Sequence, residues 1–138
     1  MSRIIRFEKV TKRYESSDQV VALDSVDLDI SRGERVALMG PSGSGKSTLL
    51  NLISGLDEPT SGSIYFEDRA LDTMTDNELT LLRRKKIGLI FQTFNLLPTL
   101  SAIENVSLPL RHDGKRRRNA DKRSTELLER VGLSERLT

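Results

Sequence analysis

Nine residues, Gly40–Thr48 (GPSGSGKST), combine backbone flexibility, hydroxyls and one lysine at the spacing G-x-x-x-x-G-K-S, which suits a bound polyanion. Glycines at 40, 43 and 45 permit backbone dihedrals closed to other residues, so successive N–H groups can turn inward around a concavity. Lys46 adds a full positive charge within reach of β- and γ-phosphates, and the Ser47 hydroxyl offers an oxygen to Mg2+. Pro41, Ser42, Ser44 and Thr48 complete the candidate phosphate site. The chemistry these residues predict is binding of a nucleoside triphosphate together with Mg2+. A Gly/Ser linker with a stray lysine would satisfy the same pattern, so the flanking elements decide.

Those elements fit. Arg35–Gly40 (RVALMG) is a short apolar run that reads as a buried parallel strand ending at the loop. Lys46–Gly55 (KSTLLNLISG) carries Leu49, Leu50, Leu52 and Ile53 at helical spacing, with Gly55 placed as a C-terminal stop. A helix beginning at Lys46 directs its positive dipole end at the loop.

Elsewhere, Ile4–Val10 alternates loosely and predicts a strand. In Ser25–Ile30, Val26, Leu28 and Ile30 alternate strictly with Asp27 and Asp29, as in a half-buried strand. Arg32–Glu34 and Leu56–Gly62 are turn chemistry, the latter including an acidic pair, Asp57–Glu58, and Ser63–Asp68 alternates again. Thr75 to Glu78 and Ser101 to Glu104 are capping boxes opening two helices, the second limited by Pro109. Arg83–Lys86 places cations at the close of the first of these helices, and Ile87–Gln92 (IGLIFQ) is a second buried-strand candidate. Asp113–Ser124 is polar and basic and reads as a solvated loop and helix face, and Ser124–Leu133 reads as a helix stopped by Gly132.

Composition bounds the rest. The chain has 138 residues, one domain by length, with 22 Lys+Arg against 20 Asp+Glu, a formal +2. That balance argues against a nucleic-acid partner recognised through bulk charge. Cysteine is absent, which removes disulfides and thiolate metal sites. The N-terminus has no signal-peptide pattern and no run is long and apolar enough to span a bilayer, so a cytoplasmic location is expected, with any membrane link made through a partner.

Residues 10–68 (VTKRYESSDQ…SGSIYFED) together with IGLIFQTFNLLPTLSAIENVSLPL resemble the nucleotide-binding subunits of ABC transporters, and look most like the lipoprotein-release and macrolide-exporter type. The resemblance implies an α/β fold: an incomplete P-loop NTPase core with an antiparallel β flank over 1–92, and the start of a helical subdomain over 93–138. It implies that ATP and Mg2+ are the ligands and that Tyr14 stacks on adenine, with Val21 against the same base. It implies that Gln92 is the catalytic glutamine contacting Mg2+ and the attacking water. Phe94, Leu96, Leu97 and Pro98 would face a transmembrane permease subunit, and a second nucleotide-binding subunit would close over the ATP. The location implied is the cytoplasmic face of the inner membrane.

The same resemblance marks what is missing. The signature motif, the acidic Walker B run and the switch histidine should follow the helix ending near Gly132, and the sequence stops at Thr138. Asp57–Glu58 does not follow an apolar strand, and His112, the only histidine, lies in a polar stretch and reads as surface. The expectation is a truncated ABC-type ATPase that binds nucleotide weakly and does not turn it over. Two rivals remain. Another P-loop enzyme, such as a GTPase, lacks support because no Asn-Lys-x-Asp guanine motif is present. A nucleic-acid-binding fragment would use Lys115, Arg116, Arg117, Arg118, Lys122 and Arg123, a run with no interleaved aromatics.

Overall fold

The computed structural model describes residues 2–15, 20–112 and 116–136. The chain divides into two units, 1–89 and 90–138, taken here in turn.

The first unit is built on an antiparallel sheet of order β2–β1–β3–β4, from β1 (Arg3–Tyr14), β2 (Val20–Ser31), β3 (Ser61–Phe66) and β4 (Arg69–Ala70). Phe7 on β1 lies opposite both Leu28 on β2 and Ile64 on β3, which sets the register of the three long strands. The alternation expected in β2 and β3 is present: Val26, Leu28 and Ile30 are half-buried between exposed Asp27 and Asp29, and Ile64 and Phe66 are buried. On one face lies α1 (Lys46–Ile53), whose Leu49 and Leu52 join Ile5, Phe7, Val10, Ile64, Phe66 and Leu71 in the core.

Strand β1 changes phase midway. Ile5 and Phe7 face the core, but the register slips between Phe7 and Val10, and Lys9 adopts a positive φ of 49°. This bulge puts Val10, fully buried, on the core side. Residues 12 and 14 follow it at a spacing of two, and both reach toward α1 and the turn after it. The Lys9 amide is not lost at the bulge; it donates to Asp27 Oδ1 at 2.9 Å.

Helix α1 closes as its glycine predicts. Gly55 sits at φ 62°, its N–H reaches Leu52 O at 3.1 Å, and Leu56 N–H reaches Asn51 O at 2.9 Å, a complete Schellman motif. Helix α2 (Asp76–Lys86) opens with the Thr75–Glu78 capping box and ends on four cations, as expected. Arg83 from α2 donates to Gly55 O at 2.8 Å, tying it to the end of α1.

Two expected strands are not formed. Residues 35–40 and 87–92 pair with no strand among those described; Ile87 packs against the core, but Met39 is 91% exposed and Ile90 fully so. A parallel strand is stabilised by ladders and cover on both sides, and the described sheet supplies these segments with neither. The apolar runs are real; the partners that would turn them into strands are not among these elements.

In the second unit, α3 (Ala102–His112) and α4 (Arg117–Arg130) pack together. The Ser101–Glu104 box is made in both directions, at 3.1 and 3.3 Å. Pro109 does not stop α3, contrary to expectation. The last turn is held from outside: Arg111 pairs with Asp121 at 2.8 Å, so a tertiary ion pair supports the residues beyond the missing N–H. The basic stretch is helical from Arg117, so α4 begins seven residues before Ser124, where the sequence places the helix start. Ala120, Ser124 and Leu128, four residues apart, are buried along one face, and Arg117 bridges to Asp121. Gly132 ends α4 in a second Schellman motif, at φ 78° with Leu133 N–H on Leu128 O at 2.9 Å. The His112 side chain and Lys115 lie outside the described residues.

Candidate phosphate-binding loop and its surroundings

The loop owes its path to three positive-φ glycines: Gly40 at 153°, Gly43 at 79° and Gly45 at 82°. Gly45 is also the residue immediately before α1, and no side chain caps that helix start. By position the first-turn amides of α1 have no intrahelical acceptor, and they open onto the exposed loop. Gly45 is pressed against β2: a Cβ there would lie 2.3 Å from Ala22 O. The loop is therefore seated on the sheet at Ala22 and Leu23.

The Lys46 ammonium folds back into the loop. It donates to Gly40 O at 2.9 Å, Pro41 O at 2.7 Å and Ser44 Oγ at 3.1 Å. All three acceptors are neutral, so among the described residues the charge is held in place without being cancelled by a carboxylate. The uncapped start of α1, an uncancelled cation and exposed Ser47 make a set that fits a phosphate chain carrying Mg2+. Among the described residues no cluster of three acidic, histidine or cysteine side chains could hold a metal without phosphate oxygens.

Tyr14 joins this loop. Its hydroxyl lies 3.4 Å from Thr48 Oγ1 on the first turn of α1, and it donates to Asp57 Oδ2 at 2.9 Å. Asp57 Oδ1 accepts from Lys12 Nζ at 2.6 Å and from the Glu58 amide at 2.8 Å. Burial works against ionisation of Asp57, but the Lys12 ammonium, the Glu58 amide and the Tyr14 hydroxyl outweigh it and hold its carboxyl below the usual range. The Lys12 ammonium also stands over the Tyr14 ring, 5.0 Å from its centroid. Val21 is half-exposed on β2, opposite Arg13 and adjacent to the Ala22 that Gly45 touches.

Thus Tyr14, Val21 and residues 40–48 share one unit. Gln92 and Phe94–Pro98 belong to the other, in an exposed segment in which Phe94 is 90% open to solvent. Of the basic run, Arg117 pairs with Glu104 and Asp121, and Arg123 with Glu126. Two participants escaped the sequence reading: Lys12, and Asp57, which reads there as one of a pair of turn acids. The available signal was Lys12 two residues before Tyr14, on the same strand face.

An antiparallel flank, a glycine loop opening a helix and a lysine folded into that loop define part of a P-loop nucleotide-binding domain. The family follows from comparison with known proteins. The ABC transporter family model matches residues 23–138, and the chain belongs to that family. It is 46% identical over 140 residues to the ABC transporter ATP-binding protein MJ0796 of Methanocaldococcus jannaschii, covering 96% of this chain and 58% of that protein. It is 46% identical over 134 residues to the macrolide export ATP-binding/permease protein MacB of Agrobacterium fabrum, covering 96% of this chain and 21% of that one. The solved dimeric structure of MJ0796 in a post-hydrolysis state with ADP and Pi superposes with a TM-score of 0.88 at 44% identity, over 97% of this chain and 60% of that one. The chain thus spans about three-fifths of the length of MJ0796.

Proposed function

We propose that this chain is the loop-bearing part of the ATP-binding subunit of an ABC transporter, and that it binds ATP with Mg2+ through residues 40–48. The observation that carries the reading is the Lys46 ammonium held by three neutral acceptors at the start of α1. In this reading Lys46 moves its contacts from the loop carbonyls to the β- and γ-phosphates, and the amides of residues 43–48 take the remaining oxygens. Ser47 holds Mg2+, which when bound neutralises charge on the phosphates. Tyr14 and Val21 receive the adenine. Gln92 is assigned as the catalytic glutamine of the complete protein, the residue that would contact Mg2+ and the attacking water.

For a full-length protein of this family we propose ATP hydrolysis coupled to transport, of the lipoprotein-release or macrolide-export type. MacB, whose printed name joins ATP binding and a permease in one protein, supports a membrane partner, and the dimeric MJ0796 structure supports a second nucleotide-binding subunit. Phe94, Leu96, Leu97 and Pro98 are exposed, as a permease-facing surface requires. No helix among the described residues is long and apolar enough to cross a membrane. The location in this reading is the cytoplasmic face of the inner membrane, peripheral through the permease partner.

The test is calorimetric titration of Lys46→Ala with Mg·ATP. Loss of a charge-assisted contact to phosphate should weaken binding by about ten- to a hundredfold. Unchanged affinity would overturn the reading. Competition by GTP as strong as by ATP would move it to a different P-loop class.

A further inference from the structure

Tyr14 is not held by packing alone. It sits near the end of β1, 38% exposed, where a tyrosine ring would ordinarily sample several rotamers. Here its hydroxyl is anchored by Asp57, from the turn that follows α1, and touches Thr48, from the first turn of the same helix. Asp57 is fixed in its turn by Lys12, whose side chain is only 13% exposed and which also donates to Glu58 O at 2.7 Å. Both carboxylate oxygens of Asp57 are thereby used on groups that bracket the ring.

We propose that Asp57, held by Lys12, is a positioning residue for the nucleoside base: it fixes the Tyr14 ring beside the phosphate loop and sets affinity for the base without contributing to affinity for the phosphates. The inference rests on the assignment of Tyr14 to adenine made above. It adds a geometric constraint. The Lys12 ammonium stands over one face of the ring, so a planar base must stack on the opposite face. The hydroxyl also lies 3.4 Å from Thr48 Oγ1, two residues after Lys46, which places the base subsite beside the phosphate loop.

The experiment compares Kd for Mg·ATP with Kd for Mg·tripolyphosphate, a probe that has the phosphates and no base, on the full chain. The variants are Asp57→Asn, Tyr14→Phe, the double variant and Tyr14→Ala. Asp57→Asn leaves one oxygen for the Lys12 ammonium, the Glu58 amide and the Tyr14 hydroxyl together, and Tyr14→Phe removes the hydroxyl, so each loosens the ring and should weaken ATP binding by about three- to tenfold. The double variant should be no weaker than either single one, and tripolyphosphate binding should stay at the parent value throughout. Retained tripolyphosphate binding also reports that the loop is folded, and if Asp57→Asn does not fold, Tyr14→Phe alone carries the test. If Tyr14→Ala lowers ATP affinity selectively but Asp57→Asn and Tyr14→Phe do not, the proposal is overturned while the stacking assignment stands. If Asp57→Asn weakens both ligands equally, or if the two single effects add, Asp57 is not acting through the ring and the proposal falls. If Tyr14→Ala leaves the ratio of the two affinities unchanged, the stacking assignment fails and the proposal fails with it.

Discussion

Gly43 and Gly45 have nearly the same backbone conformation, φ 79° and 82°, yet opposite surroundings, so replacing each with alanine separates dihedral strain from steric conflict. A Cβ at Gly43 meets no heavy atom within 4 Å. Its cost is that of a non-glycine residue in the left-handed region, about 1–2 kcal/mol, partly offset by the stiffer unfolded chain, leaving about 1 kcal/mol. A Cβ at Gly45 would lie 2.3 Å from Ala22 O and 3.1 Å from Leu23 Cδ2. The carbonyl is backbone of β2, between the Lys12–Leu23 and Arg13–Val21 pairs where the register slips, and cannot swing aside as the end of a side chain could. Restoring an ordinary contact of 3.4 Å needs a shift of about 1 Å, which lifts the start of α1 and disturbs Leu49 and Leu52 in the core. Overpacking of that kind adds about 1–3 kcal/mol, for a total of about 2–4 kcal/mol. At about 4 °C per kcal/mol, Tm should fall by about 4 °C for Gly43→Ala and by about 8–16 °C for Gly45→Ala. Thermal unfolding followed by circular dichroism, with urea midpoints as a check, reads both. Equal losses, or a larger loss at Gly43, would refute the claim that the loop is seated on β2 by the absence of a Cβ at Gly45.

Thr75→Ala removes a capping box whose two arms are both made, and should cost about 1 kcal/mol, visible as a lowered urea midpoint with an unchanged m-value. Acid should weaken the fold over a defined range. Asp27, Asp57, Asp121, Glu67 and Glu78 all titrate below the ordinary Asp and Glu values of 3.8 and 4.5, chiefly through cations or amides that bond them. Depressed carboxylates contribute stability that is fully present above those ordinary values and is lost as pH drops through the lower folded ones. Tm should therefore be level from about pH 7 to 5 and fall from about pH 4 downward, modestly because these groups are exposed or only half-buried. A Tm that rises between pH 5 and 3 would contradict the assignment.

Much of this molecule was readable from residue order because the relevant forces are local. The glycine loop, both capping boxes and the stops at Gly55 and Gly132 depend on contacts within about five residues, and each matches its motif. The alternation in β2 and β3 was legible for the same reason: a two-residue period needs one buried face and nothing more.

Long-range geometry settled what remained. Residues 35–40 and 87–92 have strand composition but no ladder among the described residues, since pairing depends on a neighbour that composition does not name. Helix α3 runs past Pro109, and α4 starts at Arg117, because ion pairs and a buried face between the two helices outweigh local preference. The bulge at Lys9 changes the phase of β1, a decision made by its pairing with β2 and β3, and Lys12 and Tyr14 follow on the side that reaches the loop. Asp57 then meets them from 43 residues along the chain. The order of residues is enough to specify what the phosphate loop is made of; how a tyrosine is aimed beside it depends on strands and turns brought together by folding, because hydrogen bonds across such separations exist only once the sheet and α1 have packed.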